Sequence, residues 1–159
     1  MLIVDSQWAE AVAGTFDGLL EAGFPIKSVR PVSDYNADDD RSMADNNTSG
    51  FNCRPVGGSN RWSQHSYGLA IDINALPDQG CALEPCWGDT PHAQWLAANA
   101  YRFGFIVRYP DGKTDITGYE YEPYHMRYVG IELATEMHNT GITTLEEFFG
   151  LPPAPDYAG

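Results

Sequence analysis

One acidic residue restricts this chain more than any other. Asp72 lies inside the run Leu69-Ala70-Ile71-Asp72-Ile73, whose alternation predicts a strand with Leu69, Ile71 and Ile73 on one face and Ala70 and Asp72 on the other. An unpartnered carboxylate on such a strand costs on the order of several kcal/mol, so the fold must bring a cation or hydrogen-bond donors to it. Ala70 is small and leaves space on the same face. Gly68 lets the backbone turn so that His65 comes back over the same spot, and a metal ion would supply the missing charge.

A second motif, Glu122-Pro123-Tyr124-His125-Met126-Arg127-Tyr128-Val129-Gly130, offers a partner for the first. His125 and Arg127 share one face of a strand, whereas Glu122, three residues before His125, faces away unless Pro123 breaks the alternation at the strand entry. We take it to do so. Two imidazoles and one carboxylate with an open fourth position form the donor set of a catalytic zinc site, and a carboxylate beside that set can take a proton from water. Arg127 is expected to be a structural ion-pair partner. Ser63 is expected to hydrogen-bond near the site rather than act as a nucleophile. His92 and His138 lie outside both motifs, on expected helices with exposed neighbours.

Charge narrows the class of partner. The net charge of −13, with nine Lys and Arg in 159 residues, disfavours nucleic acid, and an anionic substrate must meet a local basic group. No run of about 18 apolar residues is present to span a membrane, and the first residues, MLIVDSQWAEAVAG, lack the pattern of a signal peptide. The length fits one domain, 1–159, expected to be monomeric. Cys81 and Cys86, in the loop GCALEPCW, could close a small disulfide, which would place the chain in an oxidising compartment, while Cys53 is expected to be a buried small apolar residue.

Together the two motifs resemble the D-alanyl-D-alanine carboxypeptidases of the vancomycin-resistance type, within the zinc peptidase group that includes the hedgehog fold. The pattern S-x-H-x-x-G-x-A-x-D corresponds to Ser63, His65, Gly68, Ala70 and Asp72, and E-P-W-H-x-R-Y-V-G to Glu122 through Gly130, with Tyr124 where Trp is common. By resemblance His65, Asp72 and His125 hold Zn2+ and Glu122 is the general base. The family's S-G-Y-R-S segment appears as Ser49-Gly50-Phe51-Asn52-Cys53-Arg54, with the Arg displaced, so Arg54 is the candidate for clamping substrate or oxyanion, with Ser63 and Tyr124 beside the substrate. The resemblance implies an α+β fold, a central antiparallel sheet flanked by helices with zinc in a cleft. It also implies hydrolysis of the terminal D-Ala of peptidoglycan stem peptides outside the cytoplasm. An endopeptidase cutting inside the stem peptide, of L-Ala-D-Glu type as in endolysins, is the alternative. A zinc-bearing binding module without hydrolysis is a third reading, against which the presence of Glu122 counts.

The rest of the chain supplies the frame. Trp8, Val12, Phe16, Leu19 and Leu20 predict an amphipathic helix within residues 5–22, capped by Asp5 or Ser6 and ended by Gly23. A strand over 26–29 is expected to lead into a long polar surface loop, DYNADDDRSMADNNTSG, with Asp38, Asp39 and Asp40 in a solvated turn rather than a calcium loop. SGFNCRPV is expected to be a strand stopped by Pro55, with a turn at GGSN. A second loop over 75–90 precedes a helix over 92–102, a strand in GFIVRYP, a hairpin arm over 117–128, and two closing helices, the last capped by Thr143 or Thr144.

Overall fold

The computed structural model describes residues 1–57, 59–73 and 88–155. Its helices and strands are α1 (Ala9–Glu21), β1 (Ser28–Val29), α2 (Asp39–Ala44), β2 (Asn47–Thr48), β3 (Ala70–Asp72), α3 (Pro91–Asn99), β4 (Phe105–Tyr109), α4 (Thr114–Thr117), β5 (Glu122–Tyr128), α5 (Ile131–Thr140) and α6 (Leu145–Phe148). The architecture is α+β, with β3, β5 and β4 forming an antiparallel sheet in that order. β5 is therefore the central strand, paired on both edges. The free edge of β3 is covered by Ser49, which exchanges two backbone hydrogen bonds with Asp72.

The sheet has two unlike faces because its residues alternate. Ile71 and Ile73, Phe105, and Tyr124 and Met126 join Val12 and Leu19 of α1 and Leu96 of α3 in one buried apolar cluster. On the other side, Ala70 pairs with Arg127 and Asp72 with His125, and Ile106 lies opposite Arg127. Only Ile106 of that row is strongly apolar, and it packs on Ala134 and Met137 of α5. The face thus has an apolar end under α5 and a polar end at Asp72 and His125.

Several expectations about local structure are revised. Helix α1 has Val12 and Leu19 buried, but Leu20 is 78% exposed, since its side chain falls one position off the buried stripe. Asp5 caps the short 3-10 turn that precedes α1, and Gly23, at φ +68, follows its end. The expected polar surface loop is in fact folded inward: Ser42, Asn46, Asn47, Thr48 and Ser49 are all buried. Asn47 makes this possible, because its side chain accepts from Arg30 N–H and donates to the Arg30 carbonyl and the Ser42 hydroxyl. β1 and β2, running parallel, are held beside it.

The acidic run is likewise not one solvated turn. Asp38 caps α2, while Asp39 accepts from the Asn52 side chain and pairs with Arg54. The segment over 50–54 is irregular rather than a strand, because its backbone groups bond to Ile3, His65 and Ser66 instead of to a ladder. Cys53 is free and exposed there, not buried, since the side chains of this segment alternate and it is the neighbouring Asn52 that turns inward. Cys81 and Cys86 lie outside the described residues. The closing helices stand where expected, with Thr144 capping α6 and donating to Glu147.

Candidate metal centre

His65 enters the site on a 3-10 turn, Gln64–Tyr67, whose first N–H groups are satisfied by Ser63: its Oγ accepts from His65 N–H at 3.3 Å. The turn ends at Gly68, φ +64. A Cβ at Gly68 would lie 2.5 Å from Asp5 N and 3.0 Å from the Val4 carbonyl carbon, so both the left-handed backbone and the close approach of the N-terminal segment require glycine. Gly68→Ala is expected to lower stability by at least about 2 kcal/mol, combining the left-handed penalty with backbone displacement. Urea unfolding measures this, and an unchanged midpoint would contradict it.

His65 Nδ1 donates to the Gly50 carbonyl at 2.6 Å, which fixes the tautomer and leaves the Nε2 lone pair facing inward. That Nε2 lies 3.2 Å from Asp72 Oδ2 and 3.4 Å from His125 Nδ1. His125 Nδ1 in turn lies 2.9 Å from Asp72 Oδ1. All three side chains are buried. Two nitrogens held about 2.05 Å from one tetrahedral ion stand about 3.3 Å apart, close to the spacing found here. Asp72 Oδ1 has no hydrogen-bond partner despite its burial, as expected of a donor atom aimed at a cation rather than at a proton. The residues present therefore fit a tetrahedral ion with one open position, and they are the group among the described residues able to hold one. Burial pushes the Asp72 carboxyl up, but His65 and then His125 outweigh it and hold it far below the usual carboxylate range. For His65, burial opposes protonation, and the Asp72 charge overcomes it, so the imidazole sits above its ordinary value.

Glu122 joins the site through a bulge. Val107 lies opposite Met126 but Tyr109 lies opposite Glu122, so two steps along β4 match four along β5. The alternation breaks at Pro123 as the sequence suggested, and Glu122 Oε2 comes to 3.8 Å from His125 Nδ1. Burial lifts its carboxyl above the usual range, His125 opposes that, and Asp72 adds to it.

The other expected site residues also gather here. A cavity of about 90 Å³ is lined by Arg54, Ser63, Asp72, Glu122, Tyr124 and His125, among others. Arg54 reaches this cavity from the irregular segment, with Nη2 2.5 Å from Asp39 Oδ2 and a buried Nε that has no partner. Tyr124 is a wall shared with the apolar cluster. His92 packs edge-on against Phe24 and His138 stacks on Tyr101, both away from the triad.

Two features escaped the sequence reading. Tyr109 lines the cavity, its ring 5.1 Å from that of His125 and 4.3 Å from that of Tyr119, and burial pushes its hydroxyl well above the usual tyrosine range. Only the bulge turns it inward, and nothing in GFIVRYP marks that. Arg127 was expected to be an ion-pair partner, yet it makes no ion pair among the described residues, and its Nη1 is buried without a hydrogen bond. Glu146, which lines the same cavity as Arg127, is already taken by both Nη atoms of Arg108.

A buried His-Asp-His triad with a carboxylate beside it, set across an antiparallel sheet in an α+β fold, defines a metal-dependent hydrolase type of site. Residues 46–131 match the family VanY, D-alanyl-D-alanine carboxypeptidase, and the chain belongs to that family. It is 37% identical over 144 residues to YodJ of Bacillus subtilis (strain 168), covering 89% of this chain and 51% of YodJ, so it spans about half of that relative's length. Among solved structures it is similar to LdcB, an LD-carboxypeptidase, with 29% identity and a TM-score of 0.67 over 96% of this chain and 78% of that one. A vancomycin-resistance D,D-pentapeptidase, VanY from the VanB-type cassette in complex with Zn(II), matches with 32% identity and a TM-score of 0.58, over 92% of this chain and 83% of that one.

Proposed function

We propose that this chain is a zinc-dependent D-alanyl-D-alanine carboxypeptidase that removes the terminal D-Ala of peptidoglycan stem peptides, and that it acts outside the cytoplasm, where that substrate lies. The observation that carries this reading is the Glu122 carboxylate beside a buried, metal-competent His65, Asp72 and His125, in a chain of the VanY family. Among the described residues no helix is long and apolar enough to cross a membrane.

His65 Nε2, Asp72 and His125 Nδ1 would hold the zinc. When bound, zinc supplies a Lewis acid, which makes water acidic enough to lose a proton near neutral pH and polarises a carbonyl oxygen. Glu122 accepts the proton from the attacking water and returns it to the leaving amine. The Gly50 carbonyl keeps the His65 imidazole oriented throughout. Arg54 receives the terminal carboxylate of the substrate, with its unpartnered Nε and the planar fork that suits a carboxylate. Asp39 holds the guanidinium in place meanwhile.

The likeness to LdcB favours a second reading of the same site, in which the bond cut lies between an L residue and the terminal D-Ala. Digestion of paired peptides, one ending in D-Ala-D-Ala and one in an L residue followed by D-Ala, with the products identified by mass, separates the two. Free D-Ala from the first peptide supports the proposal, and release only from the second transfers it to the LD class. Arg54→Ala is expected to cost about 2 to 5 kcal/mol of transition-state binding, the loss usual for one partner of a desolvated charge pair. Amidation of the terminal carboxyl should cost the wild type a similar amount and the variant little more. Equal cleavage of amidated and free peptides by the wild type would leave the endopeptidase reading in its place.

A further inference from the structure

We infer that Arg127 forms a second anion subsite, which binds a carboxylate carried by the substrate on the amino-terminal side of the scissile bond. The inference rests on the peptidase reading above. A cavity of about 230 Å³ adjoins the smaller one, and the two share Val56, Ser63, Tyr109, Tyr119 and His125 as lining residues. Arg54 lines only the smaller cavity and Arg127 only the larger one. With the terminal carboxylate on Arg54, the rest of the peptide extends past His125 into the space that Arg127 lines.

Three facts make Arg127 a binding group and not a strut. Its Nη1 is buried and has no hydrogen-bond partner, a state that costs free energy in the resting protein. The neighbouring Arg108 consumes Glu146 in a two-pronged pair, with Nη1 at 3.1 Å and Nη2 at 2.5 Å from the carboxylate oxygens, so among the described residues lining this cavity no acidic group is left over for Arg127. The larger cavity is lined by Arg61, Arg108 and Arg127, with Glu146 as the one acidic residue among its described lining, which leaves it short of negative charge. In a chain of net charge −13 this shortage is local, and it is what an anionic ligand relieves.

Position gives the reach. Arg127 lies two residues beyond His125 on the same face of β5, about 6.6 Å along the strand, opposite Ala70, whose methyl group can neither pair with it nor hydrogen-bond to it. A peptide laid along this face advances by about 3.3 Å per residue, so the bound carboxylate belongs to one of the two or three residues preceding the terminal one. A stem peptide with an acidic residue there is the class of substrate the cavity fits. Its counterpart with a neutral side chain leaves the guanidinium unpaired.

The test uses zinc-loaded full chain and two pairs of blocked peptides ending in D-Ala-D-Ala. Within each pair Glu alternates with Gln, at the position just before the D-Ala-D-Ala or one residue earlier. The wild type should favour the acidic member of at least one pair by tenfold or more in kcat/KM, and Arg127→Met should bring that ratio close to one. Arg127→Met should also keep or raise the unfolding temperature, because an unpaired buried cation is removed, whereas a strut would lower it. A wild-type ratio near one in both pairs, or a ratio that survives in the variant, overturns the proposal and leaves the peptidase reading intact. If the wild type cleaves none of the four peptides, the peptidase reading has failed. The subsite is then read by calorimetric binding of the same pairs, with equal affinity for acid and amide as the overturning result.

Discussion

Replacing Glu122 by Gln should leave zinc uptake intact and lower kcat by about a hundredfold or more, the usual worth of a positioned general base. The substitution keeps size and hydrogen bonding but removes the basic lone pair, so it isolates proton transfer from packing. Glu122 stands 3.8 Å from His125 Nδ1, beyond the triad atoms, which approach one another to between 2.9 and 3.4 Å. Its side chain is 27% exposed where that of Asp72 is 8% exposed, so it faces the space that substrate and water enter. Zinc content of the purified variant, read by atomic absorption beside its activity on D-Ala-D-Ala peptides, decides the role. A parallel loss of zinc would make Glu122 a fourth ligand, and retained activity would remove it from catalysis.

The site was more legible in the sequence than the frame around it, for a physical reason. Asp72 in an apolar strand and His65 before a glycine are local statements: the cost of a buried charge and the freedom of one backbone position decide them. Strand pairing then brings Asp72 opposite His125, as both motifs require. The polar stretch after Val29 shows the opposite case. Its Asn and Ser residues look like loop residues, and they are buried only because Asn47 satisfies Arg30 and Ser42 across the chain, a tertiary fact that no local pattern carries. Arg127 failed as an ion-pair expectation in the same way. A strand Arg in an acidic protein ordinarily finds a carboxylate, but the claim of Arg108 on Glu146, 38 residues away in sequence, is visible only in three dimensions. The bulge at Pro123 was half legible: proline signals a break in the ladder, yet which residue of β4 is turned toward the site depends on register.

Asp72→Asn should weaken zinc binding by at least about a hundredfold and abolish the stabilisation that zinc confers on the wild type. Outer partners of metal ligands alone are worth about 10- to 100-fold in affinity, and Asp72 contributes the negative charge of the donor set directly. A ligand that binds only the folded chain stabilises it by about 4 kcal/mol when its free concentration is a thousand times its Kd, so the wild type should unfold well above its chelator-treated form. The variant lacks the charge that attracts the ion, while its amide preserves shape beside His65 and His125. In the apo site it also takes from His65 and His125 the carboxylate they pair with, so its chelator-treated form should be no more stable than that of the wild type. Thermal unfolding of both proteins, with zinc and with chelator, gives four temperatures. The expected pattern is a large zinc-dependent rise in the wild type alone. An equal rise in Asp72→Asn would remove Asp72 from the ligand set, and a wild type insensitive to zinc and to chelation would overturn the metal centre itself.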